Sequence, residues 1–368
     1  MRLLSFALSA LLETVVAIAA ASFITAAQAR SAQSIQPAGT TVSFAQAMSW
    51  FDKSHFAVGR WDGTISIFRI PGSNEFGPVV TQAMALPSGH GVEMVAAVDQ
   101  ATIASSDTSD SIILWQRKST SSADPGQGFE VGARLSYDAK YGAANSGLAV
   151  KVSGQDYLIS GHENGFVLYW SKMPDGSFAL VKAIDAKSPA SPVNPWGLRN
   201  IRGLALWRNY VLTGSEDGDI VALSVPDGNE LFRTRYNDKA QRGINNISVL
   251  GDLLLVANCA VGASDKNVWL FDLSSGKPVL SDAENLAVDL SKSQVFDFDA
   301  VLANGDNGPI FFSSTEEGLL WEGDVSGGRL IVTGITKSSP EGGSIIAVHP
   351  DGDLIAVATY AIRLFKTK

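Results

Sequence analysis

The residues able to do chemistry are few and scattered. The chain holds four histidines, His55, His90, His162 and His349, and one cysteine, Cys259. No two histidines have the i, i+4 spacing that sets a pair of imidazoles on one helix face as zinc ligands. His55 opens an apolar run and His349 closes one ahead of Pro350, so both are expected to be satisfied structural residues. His162, beside Glu163 in a polar turn, is the one expected at the surface. Cys259 ends the run from Leu253, where a thiol acts as a small hydrophobe. A nucleophilic thiol would need partial exposure and cationic neighbours. A single cysteine also excludes an internal disulfide and a four-thiolate zinc site. Gly214-Ser215 and Gly72-Ser73 are turns without the Gly-x-Ser-x-Gly elbow of serine hydrolases. Asp306-Asn307-Gly308 and Asp351-Gly352-Asp353 lack the alternating ligands and closing Glu of a calcium loop. They read as hairpin turns. No phosphate loop and no Cys-x-x-Cys-His haem motif is present. No catalytic residue, metal ligand or cofactor is assigned.

The elements that carry these residues follow from composition and repetition. The chain has 368 residues, 45% of them hydrophobic and 18% charged, enough to bury a large core. Its formal charge of −9 speaks against broad nucleic-acid binding, which needs a cationic face. Residues 1–29 read as a signal peptide. Arg2 precedes an apolar stretch that ends in the small-x-small pattern Ala27-Gln28-Ala29. Glu13 splits that stretch too short to span a bilayer comfortably. Cleavage near Ala29, a periplasmic or secreted location and no stable membrane insertion afterwards are expected. Residues 30–39 are expected to be a flexible lead-in.

The rest repeats. A short apolar run, small residues, a polar or Gly turn and a second apolar run recur seven times. Examples are His55-Phe56-Ala57-Val58-Gly59-Arg60-Trp61-Asp62-Gly63-Thr64-Ile65-Ser66-Ile67-Phe68 and Tyr157-Leu158-Ile159-Ser160-Gly161-His162-Glu163-Asn164-Gly165-Phe166-Val167-Leu168-Tyr169-Trp170. The turns at Gly63, Asp110, Gly165, Gly218, Asn267, Gly318 and Ala361 recur roughly every 50 residues, near the period of a propeller blade. Each copy is a hairpin of β-branched and aromatic residues. An apolar run before it and a weaker run after it make four strands. No helical period is sustained. Residues 40–368 are therefore expected to form one all-β, seven-bladed propeller. The last copy ends after its third strand. Thr40–Phe44 is expected to supply the fourth and close the ring, which removes an exposed sheet edge.

These hairpins resemble WD-repeat propellers, in a degenerate form of exported bacterial type. Gly89-His90 stands ahead of the second copy, and strand-end aromatics remain at Phe68, Trp115, Trp170, Phe271 and Phe365. The Asp that follows survives only at Asp272, so the buried polar network of that family is expected to be mostly lost. The aromatics are expected to pack between blades. The resemblance implies a platform for other macromolecules.

In a propeller the turns between second and third strands share a face with the loops entering the inner strands. That places Trp61, His162, Glu163 and Glu316 around Trp196, Arg199, Arg202 and Arg242 as candidate partner-binding residues. Arg and Trp are the types that most often carry interface energy. The expected function is a non-catalytic platform for another envelope or secreted protein. Two alternatives stand beside it. One is a small-molecule or glycan binder, suggested by Trp61 and Trp196. The other is a metal-dependent propeller hydrolase or lyase. Asn145, Asn200, Asn245 and Asn246, near the starts of inner strands, motivate the second.

Overall fold

The computed structural model describes residues 34–35, 44–72, 78–118, 124–187, 199–236, 243–258, 267–280, 298–315, 318–337 and 345–367. They form seven four-stranded antiparallel sheets, six of them running in chain order from an inner to an outer strand and the seventh taking its outer strand from the N-terminal side. Blade 1 consists of Ala45–Trp50, His55–Arg60, Thr64–Arg69 and Val79–Ala85. The inner strands of blades 2 to 7 are Met94–Asp99, Ala144–Val152, Ile201–Trp207, Ile244–Leu250, Phe298–Gly305 and Ile345–Val348. Among the described residues one short 3-10 turn, Ala139–Tyr141, interrupts the strands. The chain is a seven-bladed β-propeller.

Burial explains the strand chemistry. Second strands lie between neighbouring blades, so both faces are covered and the sequence there is mostly apolar or small. Every residue of His55–Arg60 and of Thr102–Ser106 is buried. Outer strands have one face in solvent, and Phe178–Asp185 has no buried residue. Hydrophobic clusters bridge consecutive blades. Ile65 and Ile67 of blade 1 pack on Ile103, Ile113 and Trp115 of blade 2. Leu158, Leu168 and Trp170 of blade 3 pack on Ala104 and Leu114 of blade 2. The last such cluster joins Phe56, Val58 and Phe68 of blade 1 to Ala356, Ile362 and Leu364 of blade 7. The strand-end aromatics Phe68, Trp115, Trp170, Phe271 and Phe365 are all buried, as expected of inter-blade packing.

Closure uses both packing and a borrowed strand. Ser34–Ile35 pairs with the third strand of blade 7, Ser34 opposite Phe365 and Ile35 opposite Leu364. The closing strand therefore lies upstream of the expected Thr40–Phe44, inside the stretch expected to be a flexible lead-in. Of Thr40–Phe44 only Phe44 is among the described residues, and its carbonyl accepts a hydrogen bond from Trp61 N. Further ties cross the same seam. Ala45 N donates to Thr359 O at 3.2 Å, and His349 Nε2 to Lys53 O at 2.7 Å. Residues 1–29, expected to be a signal peptide, lie outside the described residues, as does Cys259.

Candidate functional site

The inner strands begin at one end of the central channel, and a recurring device turns one side chain from several of them into its mouth. The second strands of blades 1, 3 and 4 carry Gly59, Gly161 and Gly214 at matching positions. A Cβ there would meet Val92 at 2.3 Å, Ile201 at 2.6 Å and Ile244 at 2.6 Å. Each glycine makes room for a fully buried apolar residue at the start of the next blade. The residue after that anchor is Glu93, Arg202 or Asn245. In blades 1, 3, 4 and 5 the ladder register shifts here, between Ala45 and Ala47, Ala144 and Ser146, Ile201 and Gly203, and Ile244 and Asn246. The skipped residues are Gln46, Asn145, Arg202 and Asn245. A β-bulge of this kind re-aims a side chain off the sheet face.

The result is a cavity of about 590 Å³. Gln46, Glu93, Asn145, Arg202, Asn245 and Asp299 line it, one from each of blades 1 to 6. Phe44, Trp61 and Tyr360 form its wall at the seam of blades 1 and 7. Phe44 meets Trp61 edge-on at 6.4 Å and Tyr360 edge-on at 5.6 Å between ring centroids. Trp61 is 66% exposed and Tyr360 39%. Trp61 stands out because the turn after it is tight. Gly63 has φ 78°, a conformation that favours glycine, and Asp62 Oδ1 accepts from Thr64 N at 3.0 Å and Thr64 Oγ1 at 2.6 Å.

The polar groups of the mouth differ in how well they are satisfied. Asp299 is buried and accepts from the Asn246 amide and from Ile346 N at 2.9 Å, tying blades 5, 6 and 7. Arg202 Nε donates to Glu216 Oε1 at 2.6 Å, and its Nη1 reaches Asn245 Oδ1 at 3.5 Å. Glu93 is half-buried, and among the described residues nothing donates a hydrogen bond to its carboxylate. Burial pushes that carboxyl above the usual carboxylate range. Arg202 opposes the shift, while Glu163 and Asp107 add to it. The side-chain amides of Gln46 and Asn145 have no hydrogen bond among the described residues.

Of the residues singled out from sequence, Trp61 and Arg202 line the cavity. Glu163 is exposed at the neighbouring turn, where its carboxylate accepts from Ala143 N at 3.4 Å. Arg199 is exposed beside the Gly165 turn. Trp196, Arg242 and Glu316 lie outside the described residues. His162 is a correction. It is fully buried at the end of its strand, not at the surface. Its Nε2 meets Ser160 Oγ at 2.9 Å and its Nδ1 meets Gly142 O at 3.0 Å, while Trp170 Nε1 donates to Ser160 Oγ at 3.0 Å. Burial pushes the His162 imidazole down to about 4, with the Gly142 carbonyl opposing. Blade 2 repeats part of this chain, because Trp115 Nε1 donates to Ser105 Oγ at 2.8 Å. Gly89-His90 does not enter it. His90 is exposed and meets Thr108 Oγ1 at 3.2 Å.

Sequence reasoning placed Asn145, Asn245 and Asn246 near the channel, and all three line the cavity, whereas Asn200 does not. It missed Gln46, Glu93, Asp299, Phe44 and Tyr360. The available signal was the polar residue following a small or β-branched anchor, as in Ala45-Gln46, Val92-Glu93, Ala144-Asn145, Ile201-Arg202 and Ile244-Asn245. Among the described residues, no group of three or more His, Cys, Asp or Glu is placed to hold a metal ion. No protein-family model matches the chain, and no curated protein matches it.

Proposed function

We propose that the chain is a non-catalytic binding propeller, exported by its leader, that engages another envelope or secreted protein through the channel-mouth face. The observation that carries this reading is the pairing of exposed Trp61 and Tyr360 with a polar cavity at the axis. Aromatic anchors beside a concave, partly desolvated centre are what a protein interface uses for most of its energy. The Trp–Ser bonds of blades 2 and 3 support a WD-repeat-like ancestry, in keeping with a platform role. Cavity volume favours a second reading, because about 590 Å³ also suits a small polar molecule or glycan.

The test is capture from envelope extract with immobilised wild type, Trp61→Ala, Arg202→Ala and Asp324→Ala. Asp324 lines a separate cavity of blade 6 and serves as the control. A partner held by wild type and Asp324→Ala but reduced on the other two is the expected result. Equal recovery on all four overturns the reading.

A further inference from the structure

We infer that the channel mouth is a receptor for a cationic group, an ammonium or guanidinium, with Glu93 as its counter-ion. This rests on the reading of the mouth as a binding site and adds the chemistry of what enters it. Three observations carry it. The Glu93 carboxylate is half-buried and receives no hydrogen bond from the described residues, so a donor must come from water or from a ligand. Arg202 is the one cation lining the cavity among the described residues, and Glu216 holds its Nε at 2.6 Å. The cation whose charge reaches Glu93 is thus already paired with another carboxylate. Trp61 and Tyr360 present exposed aromatic surface beside it, and ring faces attract cations.

The alternatives fit less well. An anionic ligand would meet Glu93, Asp299 and the nearby Glu163 and Asp107 on a chain of charge −9. A neutral polyol would donate hydroxyls to Glu93 but leave its charge uncompensated. A lysine or arginine side chain supplies donors, charge and an apolar stem to lie along Trp61.

Titration calorimetry on the whole protein tests this with acetyl-Gly-Arg-Gly-amide, acetyl-Gly-Lys-Gly-amide, acetyl-Gly-Glu-Gly-amide, free arginine and glucose. The basic peptides are expected to bind wild type, and the acidic peptide and glucose are not. Glu93→Gln, which keeps shape and removes charge, is expected to weaken binding by about tenfold or more. Asp324→Asn is expected to leave it unchanged. Higher salt is expected to weaken the wild-type interaction. Binding that favours peptides over free arginine assigns the cation to a partner's side chain, and the reverse assigns it to a small amine. Either supports cationic specificity. The inference falls if no cationic probe binds, if the acidic peptide or glucose binds equally, or if Glu93→Gln binds like wild type. Should that variant fail to fold, probe discrimination and salt dependence of wild type decide. Loss of partner capture on Trp61→Ala without cation binding would keep the face and sink only its charge preference.

Discussion

The two ends of the ring handle polar groups in opposite ways. At the channel mouth, Gln46, Glu93 and Asn145 sit side by side with unused hydrogen-bonding capacity. At the far end, where blade 1 meets the loop after the third strand of blade 2, a denser cluster is saturated. The His55 ring is buried, with Nδ1 at 3.1 Å from both oxygens of Asp52 and Nε2 at 2.9 Å from Asp124 Oδ1. Asp52 Oδ1 also accepts from Ser54 N and His55 N. Beside it, Thr81 Oγ1 donates to Gly126 O at 2.8 Å, and the Gln82 amide exchanges two hydrogen bonds with the Phe129 backbone. A buried polar cluster whose members satisfy one another belongs to the architecture. One whose members keep spare hydrogen-bonding capacity is open to water or to a ligand. The contrast separates the two roles better than residue type does, since both clusters are built from carboxylates and amides.

Breaking the saturated end should produce the largest effect. His55→Ala leaves Asp52 and Asp124 without their shared partner, and equilibrium urea unfolding should show a loss of about 2–3 kcal/mol. Binding at the mouth should be unaffected. The next effect is one of pH. His162 is held neutral in the fold, with its pKa near 4, whereas the unfolded chain takes up a proton near 6.5. Between those values the unfolded state binds more protons, so stability falls as the pH falls, by up to about 1.4 kcal/mol per unit. His162→Gln removes that slope, and the gap to wild type should narrow in urea titrations run at successively lower pH. A smaller loss, about 1 kcal/mol, is expected for Gln82→Ala, which strips Phe129 of both partners. The smallest belongs to the open end. Glu93→Gln should leave stability unchanged or raise it by less than about 1 kcal/mol, because no internal bond is lost. A marked destabilisation there would mean that Glu93 is part of the architecture, and the contrast between the two ends would fail.

Most of the fold was legible because each blade writes its own local signal. The turns read at Gly63, Gly165, Gly218 and Gly318 are present, with φ of 78°, 79°, 86° and 73° at those glycines. The weaker run after each hairpin is an outer strand, reduced in blade 5 to two residues, Val279–Leu280. The site was less legible. Trp61 and Arg202 were found because large and charged residues stand out in turns. Glu93 was missed, since nothing local distinguishes a polar residue facing a channel from one facing solvent. His162 misled for the converse reason: its turn looks polar, yet Tyr137 and Tyr141 close over the ring edge-on.

The linear order of residues determined the all-β class, the blade number, the hairpin turns and which aromatics would be buried. These depend on contacts within a blade or on a period repeated seven times. Tertiary structure alone decided which polar side chains share the axis, which find partners and where the ring is zipped. Those properties arise between blades roughly 50 residues apart, where a glycine on one sheet makes room for the first anchor of the next. No local pattern contains both members of such a pair, so only assembly of the ring brings them together.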